Sequence, residues 1–163
     1  ANCVRAFWGE SSDGEGETDE IAELSCNLDD MTAEAVGYAV SLLQREGALD
    51  VFTAPIQMKK NRPGVLLTVL CTPEKKEAFS RLILQHTTTR GVRCTFCRRE
   101  KLSCRFQSVH TGYGEIRVKV SEGWGISRCK PEFDDVAAAA ESAHIPFDIV
   151  FQAALRAFRG ETV

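Results

Sequence analysis

No apolar run in this 163-residue chain approaches the ~20 residues that a membrane-spanning helix needs. The longest are strand-sized, such as Val65-Leu66-Leu67-Thr68-Val69-Leu70, so no membrane partner is expected. No charged, then apolar, then small-residue leader opens the chain, which leads to the expectation of a cytoplasmic protein. The opening Ala1-Asn2-Cys3, without Met, leads to the expectation of a piece cut from a longer polypeptide. Neither a GxxxxGK[ST] run nor a GxGxxG run is present, which excludes P-loop and Rossmann phosphate sites. No RNP1-like run of Lys/Arg, Gly and aromatics is found, and the net charge of −3 argues further against a nucleic-acid partner. His86, His110 and His144 have no patterned Ser, Cys or Asp partners, so no nucleophilic triad is legible and structural roles are expected.

Disulfide staples are also missing. Seven Cys is an odd count, and without a secretory context it points to reduced thiols. Cys94-Thr95-Phe96-Cys97 has the spacing of half a zinc knuckle, but no second CxxC follows. It lies in a strand-like run, where positions three apart face opposite ways. Cys104, Cys129 and His110 are the residues that would have to complete a zinc site. Small buried hydrophobes are the expectation for these cysteines.

What is present is charge, unevenly placed. Residues 1–58 hold twelve Asp/Glu against two Lys/Arg, and residues 131–163 hold six against two. Residues 59–130 hold sixteen Lys/Arg against five Asp/Glu, a local net of +11. This polarity suggests a basic face for an anionic ligand, with acids nearby for a metal or a neighbouring subunit; a solvated surface would show it too. The densest cluster is Met58-Lys59-Lys60-Asn61-Arg62-Pro63-Gly64, between two strand-like runs. Pro63-Gly64 supplies the turn signal, and the cations beside it suit phosphate or carboxylate groups.

Periodicity places the elements. Residues 1–20, rich in Gly, Ser, Asp and Glu, read as a flexible linker or arm, with Phe7 and Trp8 as a docking point for a partner. Residues 21–28 alternate as a strand, and Thr32 is a natural N-cap for a helix carrying Val36, Ala39, Val40 and Leu43. Gly47 suits the C′ position. Strands follow at 49–58 and 65–71, a helix from Thr72-Pro73 with Phe79, Leu82, Ile83 and His86 on one face, and a strand at 92–99. The order β-α-β-β-α-β predicts an α+β chain with a ferredoxin-like unit over 21–100. Residues 101–163 read as a β-hairpin turning at Thr111–Gly114, then two helices, 131–143 and 146–158. Phe147, Val150, Phe151, Ala154, Leu155 and Phe158 form a core stripe on the last helix.

Three further clusters suit chemistry. Asp29-Asp30, at a strand-to-helix passage, offers oxygen ligands for Mg²⁺ or Mn²⁺, although spacing alone favours helix capping. Thr87-Thr88-Thr89-Arg90-Gly91-Val92-Arg93 combines hydroxyl and guanidinium donors, or simply ends a helix. Arg117 and Lys119, two apart in a strand, point to one side. With Lys59, Lys60 and Arg62 they would make a triphosphate cradle where the fold unites them.

Six segments recur in the same order in one family. They are Ser25-Cys26-Asn27-Leu28-Asp29-Asp30-Met31-Thr32-Ala33-Glu34, Glu46-Gly47-Ala48-Leu49-Asp50-Val51-Phe52, Pro55-Ile56-Gln57-Met58-Lys59-Lys60-Asn61-Arg62-Pro63-Gly64, Thr87-Thr88-Thr89-Arg90-Gly91-Val92-Arg93, Tyr113-Gly114-Glu115-Ile116-Arg117-Val118-Lys119 and Lys130-Pro131-Glu132-Phe133-Asp134-Asp135. Over about residues 20–158 the chain resembles the C-terminal domain of the LarC family, the nickel insertion proteins of nickel-pincer cofactor synthesis.

The resemblance implies a CTP-dependent nickel chelatase, or cyclometallase, of the lyase class. Its substrate would be pyridinium-3,5-bisthiocarboxylic acid mononucleotide, activated with CTP and Mg²⁺ or Mn²⁺ as a cytidylyl adduct with release of pyrophosphate. Nickel, also a substrate, would then be inserted to give a carbon–nickel bond flanked by two sulfurs, the cofactor of lactate racemase. The resemblance further implies a homo-oligomer and an N-terminal domain as partner, to which a His-rich nickel-binding stretch belongs. It implies that Lys59, Lys60, Arg62 and Arg90 hold the triphosphate with Thr88 and Thr89. Arg117, Lys119 and Lys130 would add to the same cradle, and Asp29, then Asp30, then Glu132 would take the divalent ion. The Cys-rich segment 94–104 belongs to none of these motifs. The competing expectation is a non-catalytic, nucleotide-binding regulatory or assembly module on the same fold.

Overall fold

The computed structural model describes residues 16–160. Phe7 and Trp8 lie outside the described residues, as does Cys3. The described chain divides into two compact units, one of Thr18–Arg99 and one of residues 100–160 with Gly16 and Glu17.

The first unit grows from strand β1 (Glu17–Leu28), whose Ala22, Leu24, Cys26 and Leu28 alternate into the interior. Helix α1 (Ala33–Arg45) follows, then β2 (Asp50–Met58), β3 (Arg62–Cys71), helix α2 (Lys76–His86) and β4 (Arg93–Lys101). The sheet order is β2-β3-β1-β4, the arrangement of a ferredoxin-like unit. β1 and β3 pair antiparallel with Leu24 opposite Val69 and Cys26 opposite Leu67, which stacks their buried side chains on one face. Phe79 and Ile83 of α2 and Val36 and Leu43 of α1 close over that face. Each such fully buried side chain contributes about 1.5–3 kcal/mol. Thr32 caps α1, its hydroxyl accepting from the Ala35 amide at 3.2 Å, and Gly47 follows the helix at φ 83°. β1 begins at Glu17, inside the segment read as a linker, because Asp19 and Arg99 tie its start to β4 through two hydrogen bonds of 2.8–2.9 Å. Thr72-Pro73 opens a 3₁₀ turn (Pro73–Lys75) before α2, rather than the helix itself.

One local expectation is corrected. Pro63-Gly64 does not form the β2–β3 turn: Pro63 pairs with Gln57 and Gly64 with Ile56 inside the ladder, and Met58 opposes Arg62. The turn is therefore Lys59-Lys60-Asn61, with Lys60 at φ 62° and Asn61 at φ 56°. Pro63 is tolerated because β1 pairs with β3 only as far as Val65, so no β1 partner is deprived of its missing N–H. Gly64 serves close approach instead, since an added Cβ would stand 2.9 Å from the Leu28 carbonyl oxygen and 2.8 Å from the Met58 sulfur.

The second unit is a three-stranded antiparallel sheet, β5 (Ser103–Thr111), β6 (Gly114–Gly123) and β7 (Ile126–Pro131), backed by α3 (Phe133–Ala143) and α4 (Phe147–Arg159). The expected hairpin thus gains a third strand, too short and polar to show a strand pattern. Ile116 and Val118 of β6 pack with Val136 and Ala140 of α3 and Val150 and Ala154 of α4. Phe147 leaves the core stripe: it is 37% exposed and lies between Phe133 and Phe151, with ring centroids 5.4 and 6.0 Å away.

Candidate functional site

Three connections of the first unit are brought together by side-chain contacts: the β1–α1 passage, the β2–β3 turn and the α2–β4 loop. Because Thr32 does the capping, Asp29 and Asp30 are not used by the helix. Asp29 Oδ2 instead receives the Arg62 guanidinium at 3.2 Å, across the base of the turn. Asp30 Oδ1 accepts a hydrogen bond from the Thr88 hydroxyl. The Thr88 amide points at the Met31 sulfur at 3.4 Å, and Arg93 donates to the Asn27 side chain at 2.7 Å. Thr87 spends its hydroxyl on the Ile83 carbonyl at the helix end, at 2.7 Å. Thr89 donates to the Gly91 carbonyl at 2.9 Å, shaping the loop that presents Arg90. Lys59, Lys60 and Arg90 are exposed and make no ion pair among the described residues. Two carboxylates and three unpaired cations therefore belong to one set of loops.

An apolar cleft of about 480 Å³ adjoins them, lined by Met31, Ala33, Val36, Gly37, Val40, Thr53 and Val65. Beneath, burial pushes the Cys26 thiol up, against the Thr89 hydroxyl and the Arg93 charge, which pull it down; it stays a protonated core thiol.

The remaining expected residues lie in the second unit. Arg117 is already held: its Nε and Nη2 donate to the two Asp135 carboxylate oxygens, both at 2.8 Å, and its backbone amide to Asp135 at 2.9 Å. That fork raises the Arg117 pKa and holds the Asp135 carboxyl below the usual carboxylate range. Lys119 and Lys130 are direct cross-strand partners on the sheet's outer side. Glu132 flanks α3, its amide donating to the Arg117 carbonyl at 2.8 Å. No cluster of three His, Cys, Asp or Glu suited to a metal occurs among the described residues. Asp29-Asp30 offers the one or two carboxylates that Mg²⁺ or Mn²⁺ takes beside phosphate oxygens and water. Burial does not explain all the cysteines: Cys26 and Cys71 are buried, but Cys94 and Cys104 are exposed, which corrects the expectation for the latter two. Phe106 and Arg128 lie beside the lysine pair, grouped with it only by the strand register, which the sequence does not show.

Fold and loops together define an α+β protein with a ferredoxin-like unit whose loops gather acids and free cations. The sequence pattern described as nickel insertion protein matches residues 1–151, and the chain belongs to that family. It is 42% identical over 156 residues to the pyridinium-3,5-bisthiocarboxylic acid mononucleotide nickel insertion protein of Acetivibrio thermocellus, covering 96% of this chain and 38% of that protein. It is 45% identical over 137 residues to the protein of the same name from Lactiplantibacillus plantarum, covering 84% of this chain and 33% of that one. The chain thus spans well under half the length of these relatives. Among solved structures, it is similar to LarC2, the C-terminal domain of a cyclometallase involved in synthesis of the NPN cofactor of lactate racemase, in its apo form. That likeness has a TM-score of 0.83 and 44% identity, over 88% of this chain and 99% of the other. A Methanopyrus kandleri protein matches at TM-score 0.62 and 29% identity, over 88% of this chain and 91% of that one.

Proposed function

We propose that this chain is the CTP- and divalent-metal-binding part of a nickel insertase acting on pyridinium-3,5-bisthiocarboxylic acid mononucleotide. The observation that carries the reading is the Asp29–Arg62 and Asp30–Thr88 pairing, which ties both carboxylates to the loops bearing Lys59, Lys60 and Arg90. In this reading Lys59, Lys60, Arg62 and Arg90 hold the triphosphate, and Thr88 and Thr89 turn their hydroxyls to it. The apolar cleft by Met31 is roomy enough for a nucleobase.

Activation is a nucleotidyl transfer. An anionic group of the mononucleotide bonds to the α-phosphorus of CTP, the bond to the β-phosphate breaks, and pyrophosphate leaves with its electron pair. The free cations lower the barrier by opposing charge that grows on the leaving pyrophosphate. Arg62 exchanges one anion for another, Asp29 for phosphate, and Asp29 is thereby freed for the divalent ion. Mg²⁺ or Mn²⁺, when bound by Asp29 and Asp30, supplies Lewis-acid stabilisation of the same phosphates. Nickel enters as substrate after activation. Self-association and an N-terminal partner domain belong to the same proposal.

Calorimetric titration with CTP and Mn²⁺, followed by a pyrophosphate assay on adding the pyridinium substrate, tests it. Binding followed by pyrophosphate release is expected. Tight CTP binding with no pyrophosphate, also in the presence of the N-terminal domain, would leave a nucleotide-sensing module.

A further inference from the structure

The outer face of the β5-β6-β7 sheet is left without a use by the site above. Its back is filled by Ile116, Val118 and Val120, each at most 2% exposed, so the intervening residues of β6 point the other way. In register, Phe106, Lys119 and Lys130 form one row across the three strands. Arg128, two residues from Lys130 on β7 and opposite Ser121, extends the row on the same side. All four side chains are exposed, Phe106 at 57%. Neither lysine nor Arg128 makes an ion pair among the described residues. The one acid of β6 on this face, Glu115, lies four residues from Lys119, beyond Arg117.

Like charges directly opposite one another destabilise an antiparallel pair, their Cβ atoms being about 4.5–5.5 Å apart. A third cation on the diagonal adds to the repulsion, and an exposed phenylalanine beside them gains nothing from water. An anion carrying an aromatic ring reverses each of these costs. Successive strands are about 4.8 Å apart, so a phosphate between Lys119 and Lys130 leaves a ring within reach of Phe106.

We propose that this row seats the pyridinium mononucleotide, its phosphate and acidic groups between Lys119, Lys130 and Arg128, its ring against Phe106. Charge complementarity selects this occupant over other aromatics. The phosphate and two thiocarboxylates outweigh the ring's single positive charge, and that positive ring is itself attracted to a phenyl face. The assignment rests on the substrate class proposed above and separates Lys119 and Lys130 from the triphosphate, with Arg117 kept in place by Asp135.

Nicotinic acid mononucleotide, a pyridinium mononucleotide with one carboxylate, is the probe, titrated into the wild-type chain and two variants, with CTP and Mn²⁺ as a parallel arm. The Lys119→Ala/Lys130→Ala double variant is expected to bind the probe about tenfold or more weakly, with a thermal melt at or above that of the wild type and unchanged CTP binding. Phe106→Ala is expected to weaken the probe while leaving ribose 5-phosphate unaffected. Absence of probe binding by the wild type, or equal binding by the double variant, overturns the proposal. So does a parallel loss of CTP binding, which would return both lysines to the triphosphate. If the wild type fails to bind CTP but binds the probe through the two lysines, the CTP reading falls and the mononucleotide seat stands.

Discussion

Lys60 holds a left-handed backbone that few side chains other than Asn adopt readily, and its neighbour Asn61 does so as well. Glycine at position 60 would relieve that strain, so a lysine there costs the fold stability, which points to a use for its charge. Lys60→Gly is expected to leave the fold unchanged to about 1 kcal/mol more stable, the relief of strain being partly offset by a freer unfolded chain. Its CTP affinity should fall as far as that of Lys60→Ala. Denaturant melts beside calorimetry check this; full CTP affinity in Lys60→Gly would remove the lysine from the site. Asp135 is the other residue with a clear energetic signature. Its carboxyl is depressed by the Arg117 hydrogen bonds, so its contribution is present above the ordinary carboxylate range and is lost as pH falls through the lower folded value. Asp135→Asn should therefore melt below wild type near neutrality, with the gap closing below about pH 4. A gap independent of pH would mean that the fork contributes by packing alone.

At the scale of elements, Gly64 links the turn to the acids. Its Cα faces the Leu28 carbonyl, one residue before Asp29, at a spacing that leaves no room for a methyl group. Gly64→Ala is expected to cost about 1–3 kcal/mol and to shift Asp29 from Arg62. A thermal melt and Mn²⁺ affinity both report it, and an unchanged Mn²⁺ affinity would separate turn from acids. The same residue shows what was legible. Periodicity revealed the βαββαβ order because buried alternation on β1 and β3 and the 3.6-residue spacing on α1 are strong signals. Pro63-Gly64 misled because Pro and Gly mark turns on average, whereas here one sits past the end of β1 and the other admits a carbonyl. β7 shows no strand pattern in the sequence because Arg128 and Lys130 follow Ile126 on one face and Ser127 precedes Cys129 and Pro131 on the other, so neither face is apolar throughout.

At the scale of the molecule, the basic segment is divided between the two compact units. Of the sixteen cations in 59–130, ten lie in 59–99 and six in 100–130, so both compact units carry cationic surface. The residue types of the candidate site were legible from charge and order along the chain. Their grouping was not, since only contacts reveal that Asp29 meets Arg62, that Asp30 meets Thr88, and that Arg117 is spoken for by Asp135. In the proposed site Asp29 and Asp30 bring a divalent ion to CTP beside the free cations. The most direct measurement is Mn²⁺ binding by electron paramagnetic resonance, with and without CTP, in wild type and in Asp29→Asn. Asp29–Arg62 is a surface ion pair, worth about 1 kcal/mol at most, so the variant stays folded. CTP is expected to tighten Mn²⁺ binding in the wild type, and this coupling to be lost in Asp29→Asn; undiminished coupling in the variant would take the divalent ion away from Asp29.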